Sequence, residues 1–489
     1  MSPRALGPAT LIRHLGVWRT PGSGAAYRQL AGAVRLLILD GRLPLAAKLP
    51  GEREVARALG LSRTTVSAAY GRLRDDGFLD GGPGEAARTR LPAAPRTRAA
   101  TEGSPRSESA GPDMIDLTAA VLPADPNVHA AYVRALERLP ANLPGHGYET
   151  AGLEELREAV AAGYRRRGLP TSPGQILITH GAHNGLVHLL RLTVRPGEAV
   201  VFDHPTYPQA IDAILAAGAR PSPVALPDGL GDEGWDVEGL ASACRDSAAP
   251  MAYLVLDHNN PTGRMMRAAD RLRLLAALKG SQTLLVLDET LVELTLSGPP
   301  ALTASAVDAP RIVRLGSMSK SVWGGLRIGW IRADRAVIQR LAQSRASFDL
   351  GTPILEQLAA VELLNDGGQA LAARRPLLRA RRDHLRARLA ERLPDWICPR
   401  AAGGLSLWAH LPAPISSALT VQAETEGLRL AAGPRFGVDG AFERRLRLPY
   451  TLPEPVLDEA VERLARAAHR LTRGGKSAVT KPTRPVPIY

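Results

Sequence analysis

The sequence is poor in cysteine, in long apolar runs and in lysine. Its 489 residues include two cysteines, Cys244 and Cys398, far apart and outside any spacing typical of metal ligands. This usage argues against a disulfide framework and a zinc site, and it is typical of a reduced, cytoplasmic protein. No metal is therefore predicted. No run of about 20 apolar residues occurs and the first 22 residues lack an apolar core, so neither a membrane span nor a signal peptide is expected.

The scarcity of lysine makes one lysine conspicuous. Of 61 basic residues five are lysines, which leaves 56 arginines. Lys320 lies in SMSKSVWGGLRIGW, directly after a predicted strand and among small residues. A Schiff base needs a primary amine, which a guanidinium group cannot supply. Lys320 is therefore a candidate for covalent chemistry, although scarcity alone is equally compatible with a surface lysine.

Positive charge is concentrated at the two ends of the chain. The net charge is +13, and residues 1–91 hold 14 Lys and Arg against 7 Asp and Glu, which is +7. The tail 473–489 adds four basic residues and no acid, residues 92–113 are neutral, and the other 359 residues therefore carry only +2. A small basic module beside a large, nearly neutral one is expected if the small module binds a polyanion.

Composition divides the chain into five segments. Residues 92–113 lack apolar periodicity and are rich in Ala, Pro, Ser, Arg and Glu, which is typical of a flexible linker. An N-terminal extension (1–24) and a helical module (25–91) precede this linker. A long segment (114–472) and a basic tail (473–489), expected to be disordered, follow it.

The segment 114–472 alternates strand-like apolar runs with amphipathic helical runs. The strand candidates are residues 176–180, 199–203, 251–257, 283–289 and 311–317. Because helical stretches lie between most of them, the pattern predicts an α/β domain with a mostly parallel sheet.

The helical module has the pattern of three helices followed by a hairpin. Apolar residues recur at helical spacing in 25–40, 52–59 and the stretch after Ser62, whose hydroxyl can cap the third helix. The last two helices are joined by a short turn and form a helix-turn-helix, with the Ser62 end directed at the major groove. Residues 78–91, with Gly and Pro in their middle, can form a two-stranded wing.

The string LPGEREVARALGLSRTTVSAAYGRLRDDGFLD resembles the DNA-binding domain of the GntR family of regulators. The resemblance covers about residues 25–91 and implies a winged helix-turn-helix that binds double-stranded operator DNA. The residues it places at the DNA are Arg53, Ser62, Arg63, Thr64 and Thr65. Arg63 offers a fork that matches the acceptors of guanine, worth ~1–3 kcal/mol of base discrimination. Arg53 could equally bind a phosphate, which positions the protein without reading sequence.

The segment from Met114 to Thr472 resembles the fold-type I, pyridoxal phosphate (PLP)-dependent aminotransferases. The motifs that carry the resemblance are SMSKSVWGGLRIGW, HGAHNG, HPTYP, NNPTG, VLDET and RLRLPY. The resemblance implies that PLP is bound to Lys320. It also implies that Ser317, Arg327 and the backbone N–H groups of Ala182 and His183, at a helix N-terminus, bind the phosphate.

The same resemblance assigns roles around the cofactor ring. Tyr207 matches the aromatic residue that stacks on the pyridine, and Asn260 matches the donor to the ring hydroxyl. Asp288 matches the carboxylate that keeps the ring nitrogen protonated. Arg447 matches the arginine that clamps a substrate carboxylate. Tyr148, in GYETAGLEELR, matches a tyrosine that reaches the phosphate from a neighbouring subunit, which implies a homodimer.

Two departures from the aminotransferase pattern bear on function. Members usually carry a tyrosine two or three residues after the Asp288 position, where this sequence has Thr290 and Leu291. Loss of that donor should weaken catalysis without necessarily weakening cofactor binding. His183 and Asn184 also replace glutamines found in many relatives. These changes favour a sensor over an efficient enzyme.

A GntR-type module followed by an aminotransferase-like half resembles the MocR-like subfamily of regulators. The leading hypothesis is a dimeric, PLP-binding transcription regulator that controls operator binding in response to an amino acid, an amine or PLP itself. One alternative is an active PLP-dependent aminotransferase with an attached DNA-binding domain. Another is a regulator whose pocket no longer holds PLP, which the retained motif residues disfavour.

Overall fold

The fold was analysed in a computed structural model of the chain. The structure describes residues 6–16, 18–19, 25–39, 43, 47–81, 86–90, 114–227, 234–298, 311–365 and 369–476. The predicted linker 92–113 and residues 82–85 of the predicted wing lie outside these residues.

The N-terminal part is a small helical unit with a hairpin. Its elements are α1 (Pro8–Leu15), α2 (Ala26–Leu39), α3 (Glu52–Leu59), α4 (Arg63–Asp75), β1 (Leu79–Asp80) and β2 (Arg88–Thr89). Val66, Tyr70 and Leu73 of α4 are buried against α2 and α3, as their helical spacing predicts. β1 and β2 pair antiparallel, with Leu79 opposite Thr89, which confirms the predicted wing.

Helix α1 lies within residues 1–24, which the sequence assigns to an N-terminal extension. Leu11 and Leu15, four residues apart on this helix, are buried in the same core as Val55 of α3. Residues 8–15 are therefore part of the folded N-terminal unit.

The second part begins at β3 and contains the remaining elements. Its helices are α5 (Asn127–Arg138), α6 (Glu154–Arg166), α7 (Ala182–Thr193), α8 (Pro208–Ala216), α9 (Val237–Asp246), α10 (Ala268–Ala277), α11 (Arg335–Arg345), α12 (Ile354–Leu364), α13 (Gln369–Arg392), α14 (Ser416–Thr425) and α15 (Glu454–Lys476). Its strands are β3 (Ile115–Asp116), β4 (Ile176–Thr179), β5 (Ala199–His204), β6 (Arg220–Ala225), β7 (Met251–Leu254), β8 (Leu284–Asp288), β9 (Ile312–Ser317), β10 (Gly329–Arg332), β11 (Ser406–His410), β12 (Leu428–Arg429), β13 (Ala431–Ala432) and β14 (Arg445–Pro449).

Seven strands form the central sheet, in the order β4-β10-β9-β8-β7-β5-β6. All neighbours pair parallel except β10, which is antiparallel to both β4 and β9. Successive residues of β5 pack into different cores, Val200 on one face and Val201 on the other, because helices cover both faces of the sheet. The prediction of an α/β fold with a mostly parallel sheet is confirmed.

A smaller C-terminal layer packs beside this sheet. Strands β11, β14 and β13 form an antiparallel sheet, and β12 pairs parallel with β3, the first strand after residue 113. Helix α15 continues to Lys476, so residues 473–476 are helical and the prediction of a disordered tail starting at 473 is wrong for these four residues.

Two features are absent from the residues that the structure describes. None of their helices combines the length and the apolar composition needed to cross a bilayer. They also contain no group of three or more His, Cys, Asp or Glu side chains placed to hold a metal ion.

Candidate functional site

The helix-turn-helix presents its predicted DNA contacts to solvent. Arg53, Ser62, Arg63 and Thr64 are exposed, and Thr65 is half-buried. Oγ of Ser62 accepts a hydrogen bond from the backbone N–H of Thr65 at 3.1 Å, and so caps α4. Arg53 lies in the first turn of α3 and Arg63 in the first turn of α4, where the dipole of each helix also favours a phosphate.

Lys320 lies in the loop that follows β9, on the side of the central sheet where the parallel strands have their carboxyl ends. Its Nζ donates a hydrogen bond to the backbone oxygen of Ala120 at 2.9 Å. Burial lowers the pKa of Lys320 to about 8, and the positive charge of Arg447 acts in the same direction, while Asp288 opposes both. A lysine with this pKa is partly neutral near pH 7, which is the form able to bond to a carbonyl carbon.

The phosphate-binding candidates converge on the N-terminus of α7. Nη2 of Arg327 donates to the backbone oxygen of His180 at 2.7 Å, and Gly181 before the helix has a φ of +84°. A β-carbon on Gly181 would lie 2.8 Å from Nη2 of Arg327, and one on Gly329 would lie 2.6 Å from the backbone nitrogen of Ala182. The two glycines are therefore needed for this close approach of backbone and guanidinium group.

Ser317, at the end of β9, completes the donors of this cradle. Its Oγ donates to the backbone oxygen of Ile328 at 3.2 Å and accepts from the backbone N–H of Ser319 at 3.1 Å. A helix N-terminus, a hydroxyl and a guanidinium group are the donors that suit a phosphate dianion.

Polar atoms without a protein partner remain around the place of the cofactor ring. Among the described residues, neither Oδ1 of Asn260 nor Nδ1 of His183 has a hydrogen-bond partner, although both atoms are buried. The ring of His183 packs edge-on against that of Tyr207, with 6.1 Å between centroids. Burial lowers the pKa of His183 and raises that of Tyr207 to about 12, so both rings are neutral at pH 7. Buried unpaired polar atoms beside an aromatic ring fit a polar, planar ligand.

Tyr253 is a site residue that the sequence analysis missed. Its hydroxyl donates to Oδ2 of Asp288 at 2.6 Å, and the backbone N–H of Thr290 donates to Oδ1 at 2.9 Å. Tyr253 lies on β7, the neighbour of β8, so the contact crosses two strands that are 35 residues apart. These two donors hold the Asp288 carboxyl group in one orientation, and a carboxylate is the acceptor that suits a protonated ring nitrogen. No local signal in MAYLVLD distinguishes Tyr253 from an ordinary core tyrosine.

Arg447 is a buried cation in β14. Its side chain is 5% exposed, its guanidinium group lies 4.9 Å from the ring centre of Phe436, and Nη2 donates to the backbone oxygen of Thr118. Its Nε has no hydrogen-bond partner, and within the described part of the chain no Asp or Glu forms an ion pair with it, although the negative charge of Asp116 acts on it from a longer distance. Burial lowers the pKa of Arg447 to about 10. A carboxylate on a ligand would supply the ion-pair partner that this buried guanidinium group does not have among the described residues.

The position of the missing tyrosine is apolar in the structure. Leu291 is buried and lines the same small cavity as Lys320 and Asn260. A leucine side chain has no hydrogen-bond donor, so this wall of the site cannot donate to an oxygen on a ligand.

Two of the predicted cofactor residues, Tyr148 and Arg327, are exposed, and Tyr148 contacts none of the others in the described structure. Tyr148 is 60% exposed, and its ring stacks on that of His146 with 5.7 Å between centroids. The other predicted cofactor residues follow the carboxyl ends of parallel strands or lie at the start of α7, except Arg327, which lies just before the antiparallel strand β10. Parallel strands place their carboxyl ends at one edge, which is why the sequence motifs meet there.

Comparison with known proteins agrees with this arrangement. Residues 112–464 match the family described as aminotransferase class I and II, and residues 26–88 match the bacterial regulatory proteins of the gntR family. The chain is 27% identical over 479 residues to an uncharacterized HTH-type transcriptional regulator of Bacillus subtilis, YisV, covering 91% of this chain and 96% of that protein. It is also 27% identical over 481 residues to the HTH-type transcriptional regulator TauR of Rhodobacter capsulatus, covering 91% and 97%.

A similar solved structure is LysN, an α-aminoadipate aminotransferase from Thermus thermophilus. It is 28% identical, with a TM-score of 0.66, and the match covers 74% of this chain and 94% of LysN. This fold and these aminotransferase relatives imply PLP as the cofactor. The chain belongs to the aminotransferase class I and II family and, with its gntR-family DNA-binding domain, has the architecture of the MocR-like transcription regulators.

Proposed function

We propose that this protein is a transcription regulator that holds PLP at Lys320 and adjusts its binding to operator DNA when a small ligand occupies the same site. The observation that carries the proposal is the presence in one chain of two free binding surfaces. The helix-turn-helix exposes Arg53 and Arg63, and the aminotransferase-like half gathers a partly neutral lysine and a phosphate cradle at one sheet edge.

The residues proposed to hold the cofactor divide by the part of PLP that they meet. Ser317, Arg327 and the first N–H groups of α7, at Ala182 and His183, bind the phosphate. Tyr207, Asn260 and Asp288 bind the ring, with Tyr253 positioning the carboxylate of Asp288. Bound PLP supplies a carbonyl that bonds reversibly to primary amines, and Lys320 is the resident amine.

The proposed effector is an amino acid, an amine or PLP itself. A carboxylate on the effector would pair with Arg447, whose buried charge has no acid partner among the described residues. To change operator occupancy from mostly bound to mostly free, the ligand must bind one state about 10⁴-fold more tightly than the other. A covalent bond at the cofactor together with an ion pair at Arg447 can supply such a difference.

Sensing is favoured over turnover by the apolar wall at Leu291. An aminotransferase must hold and release protons at several stages, and a hydroxyl donor to the ring oxygen helps to set those proton affinities. Leu291 cannot provide this donor, whereas the groups that only hold PLP are present. Slow turnover of amino acids remains the competing function that the experiment below tests.

The working form is proposed to be a homodimer in the cytoplasm. Large apolar side chains are exposed on and near α5 and after α11: Val133, Leu136, Leu143, Tyr148, Phe348 and Leu350. Exposed apolar residues on one region of a chain are typical of a protein interface. An interface here would bring Tyr148 to the cofactor of the partner. The proposed DNA-binding domain is residues 25–91, with α1 (Pro8–Leu15) packed on its core, and the proposed linker is residues 92–113.

The first experiment is the absorbance spectrum of the full chain with added PLP, for the wild type and for Lys320→Ala. We expect a visible band that requires Lys320 and that shifts with an amino acid or amine from a panel of such compounds. The same panel is then tested for its effect on affinity for DNA selected from random sequence with the wild-type protein.

Three outcomes separate the candidate functions. A ligand that shifts the band and changes DNA affinity supports the regulator. Conversion of the amino acid to its keto acid at a steady rate, with DNA affinity unchanged, would establish the aminotransferase. A wild-type protein that shows no band with saturating PLP contradicts the cofactor site altogether.

A further inference from the structure

The segment that enters the second half of the chain contacts both proposed ligand-binding side chains. We call residues 115–120 the exit segment, because the chain passes through them as it leaves the predicted linker. The backbone oxygen of Thr118 accepts a hydrogen bond from Nη2 of Arg447, and that of Ala120 accepts one from Nζ of Lys320 at 2.9 Å. A cofactor on Lys320 and a carboxylate on Arg447 would each compete with a carbonyl of this segment.

The exit segment is shaped by one acidic side chain. Oδ1 of Asp116 accepts hydrogen bonds from the backbone N–H of Thr118 at 2.7 Å and from its hydroxyl at 2.5 Å, which fixes the turn that aims the Thr118 carbonyl. Oδ2 of Asp116 lies 3.8 Å from Nη1 of Arg429 on β12. Both side chains are largely buried, at 10% and 14% exposure.

Arg429 is also connected, through Glu424, to the DNA-binding unit. Nε of Arg429 lies 3.9 Å from Oε1 of Glu424 on α14, and Oε2 of Glu424 is paired with the guanidinium group of Arg35 on α2. Arg35 in turn lies 5.9 Å from the ring centre of Phe78, the residue before the first wing strand. Glu424 is thus shared by an arginine of each half of the molecule.

Helices α2 and α14 are also in direct van der Waals contact. A β-carbon added to Gly32 of α2 would lie 3.2 Å from Cγ1 of Val421 on α14. The approach leaves no room for a larger residue on this face of α2, so the two helices dock closely.

We propose that the exit segment and the ion pairs Asp116–Arg429–Glu424–Arg35 form a coupling chain that transmits ligand binding at Arg447 to the docking of α2 on α14. A carboxylate on Arg447 displaces the Thr118 carbonyl and loosens the turn held by Asp116. The shift of Asp116 changes how Arg429 pairs with Glu424, and hence how firmly Glu424 holds Arg35. The inference rests on the proposed function for its ligand but not for its contacts.

The charges of the coupling chain alternate in sign, so a shift of one member changes the electrostatic attraction that holds the next. Each inner member has a partner on both sides, so weakening one pair alters the next. Exposure of 5% to 14% at Glu424, Asp116 and Arg429 keeps solvent screening of these pairs low. A second route exists, because Ala431 of β13 pairs with Arg447 and the Ser416 hydroxyl at the start of α14 accepts from the N–H of Gly433.

The test is amide hydrogen exchange of the full, PLP-loaded chain, read by mass spectrometry, with no effector added. The variants are Arg447→Gln, Glu424→Gln and the two combined. Reporter amides are those of α2 and of Ile115 and Leu117, which donate to Gly427 and Arg429 in the structure. Glu426→Gln is the matched control, since Glu426 is 7% exposed and adjacent but pairs with Arg466 and Arg470 instead.

Arg447→Gln is expected to speed exchange in α2 at least about fivefold, the lower end of usual coupling factors, and to speed the exit segment as well. Glu424→Gln should speed α2 by itself, and adding Arg447→Gln should then change α2 no further. Glu426→Gln should match the wild type, and unchanged exchange in β7 and β8 shows that each variant is folded.

Two results overturn the coupling chain. If Arg447→Gln speeds the exit segment but not α2, no coupling exists. If it speeds α2 equally with and without Glu424, the coupling follows the β13 route. Failure of the proposed function is a separate result, because a protein that passes this test but shows no ligand-dependent DNA affinity has the coupling without the regulation.

Discussion

At the scale of single residues, the proposed cofactor site contains two cationic side chains, Lys320 and Arg447, whose positive charge is disfavoured by burial. Arg447 has no acid partner among the described residues, and its charge helps to lower the pKa of Lys320. Lysine and arginine respond differently to such burial, because lysine can lose its proton near neutral pH whereas arginine remains charged. We therefore expect Lys320 to act as the nucleophile and Arg447 as a fixed binding site for an anion.

The pKa of Lys320 predicts the pH dependence of PLP attachment. The neutral amine is the reactive form, and with a pKa of about 8 its fraction rises about tenfold per pH unit below that value. The rate of PLP incorporation into the cofactor-free protein should therefore rise with pH and level off above about 8. It is measured by stopped-flow absorbance after mixing with PLP.

Arg447→Gln should move this profile to higher pH, because removing a positive neighbour raises the pKa of Lys320. Arg444→Gln is the control, since Arg444 is an exposed residue just before the same strand and donates to the backbone oxygen of Pro412. A profile that does not move in Arg447→Gln would show that the two cations do not interact.

Arg63→Ala should weaken binding to selected DNA and leave PLP binding unchanged. Loss of a bidentate contact to guanine costs about 1–3 kcal/mol, which is roughly 5- to 150-fold in Kd. Fluorescence anisotropy with a labelled duplex measures this, and Arg57→Ala, an exposed arginine of α3 outside the predicted contacts, is the control. Equal losses for selected and random DNA would mean that Arg63 binds phosphate instead of a base.

At the scale of elements, two strands of the central sheet are not predicted from local sequence patterns. The sequence predicts five strands of the central sheet, but β6 (Arg220–Ala225) carries two prolines and β10 (Gly329–Arg332) is four residues long. β6 tolerates Pro221 and Pro223 because it is an edge strand with a single partner, β5. Whether a strand lies at an edge is a property of the sheet and cannot be read from the strand itself.

The contact between α2 and α14 predicts the effect of a larger side chain at Gly32. Gly32→Leu should overfill this interface, at a cost of about 1–3 kcal/mol. We expect faster hydrogen exchange in α2 and an unchanged rate in the central sheet. Gly71→Leu is the matched control, because Gly71 lies in α4 of the same unit and a β-carbon there meets nothing within 4 Å. Equal exchange in the two variants would argue against the docking of α2 on α14.

At the scale of the whole molecule, the proposed dimer predicts that a partner subunit contributes to each cofactor site. Tyr148 is exposed in the described structure, as are the apolar residues proposed to form a dimer interface. Its loop is held in place from behind, since Arg345 donates to the backbone oxygen of Thr150 at 2.9 Å and also pairs with Asp349. A loop anchored by these contacts and carrying an exposed aromatic side chain fits the proposed contact with a second subunit.

Leu136→Asp should therefore produce monomers that lose PLP more readily. A charge in an apolar interface is strongly unfavourable, and the monomer lacks the Tyr148 of a partner at its phosphate site. Analytical ultracentrifugation measures the mass, and absorbance after dialysis measures the retained PLP. Leu272→Asp is the control, because Leu272 is similarly exposed (50% against 54%) but lies on α10, outside the proposed interface. A dimeric Leu136→Asp protein would place the interface elsewhere.

The sequence by itself determined the two-part architecture, the bounds of α3 and the identity of the cofactor. These depend on local signals: helical spacing in 52–59 between two glycines for α3, the Ser62 cap of α4, and short motifs at the ends of strands whose resemblance to aminotransferases implies PLP. Local signals suffice there because a helix cap or a strand end is built from residues adjacent in the chain.

Only the tertiary structure decided which distant residues meet. The hydrogen bond of Tyr253 to Asp288, the burial of Arg447 without an acid partner among the described residues, and the contact of α2 with α14 each join segments far apart in sequence. Such contacts depend on strand order and helix packing, so the same residues would carry no signal in another fold. The proposed DNA and PLP sites could thus be predicted from motifs, whereas the path between them could not.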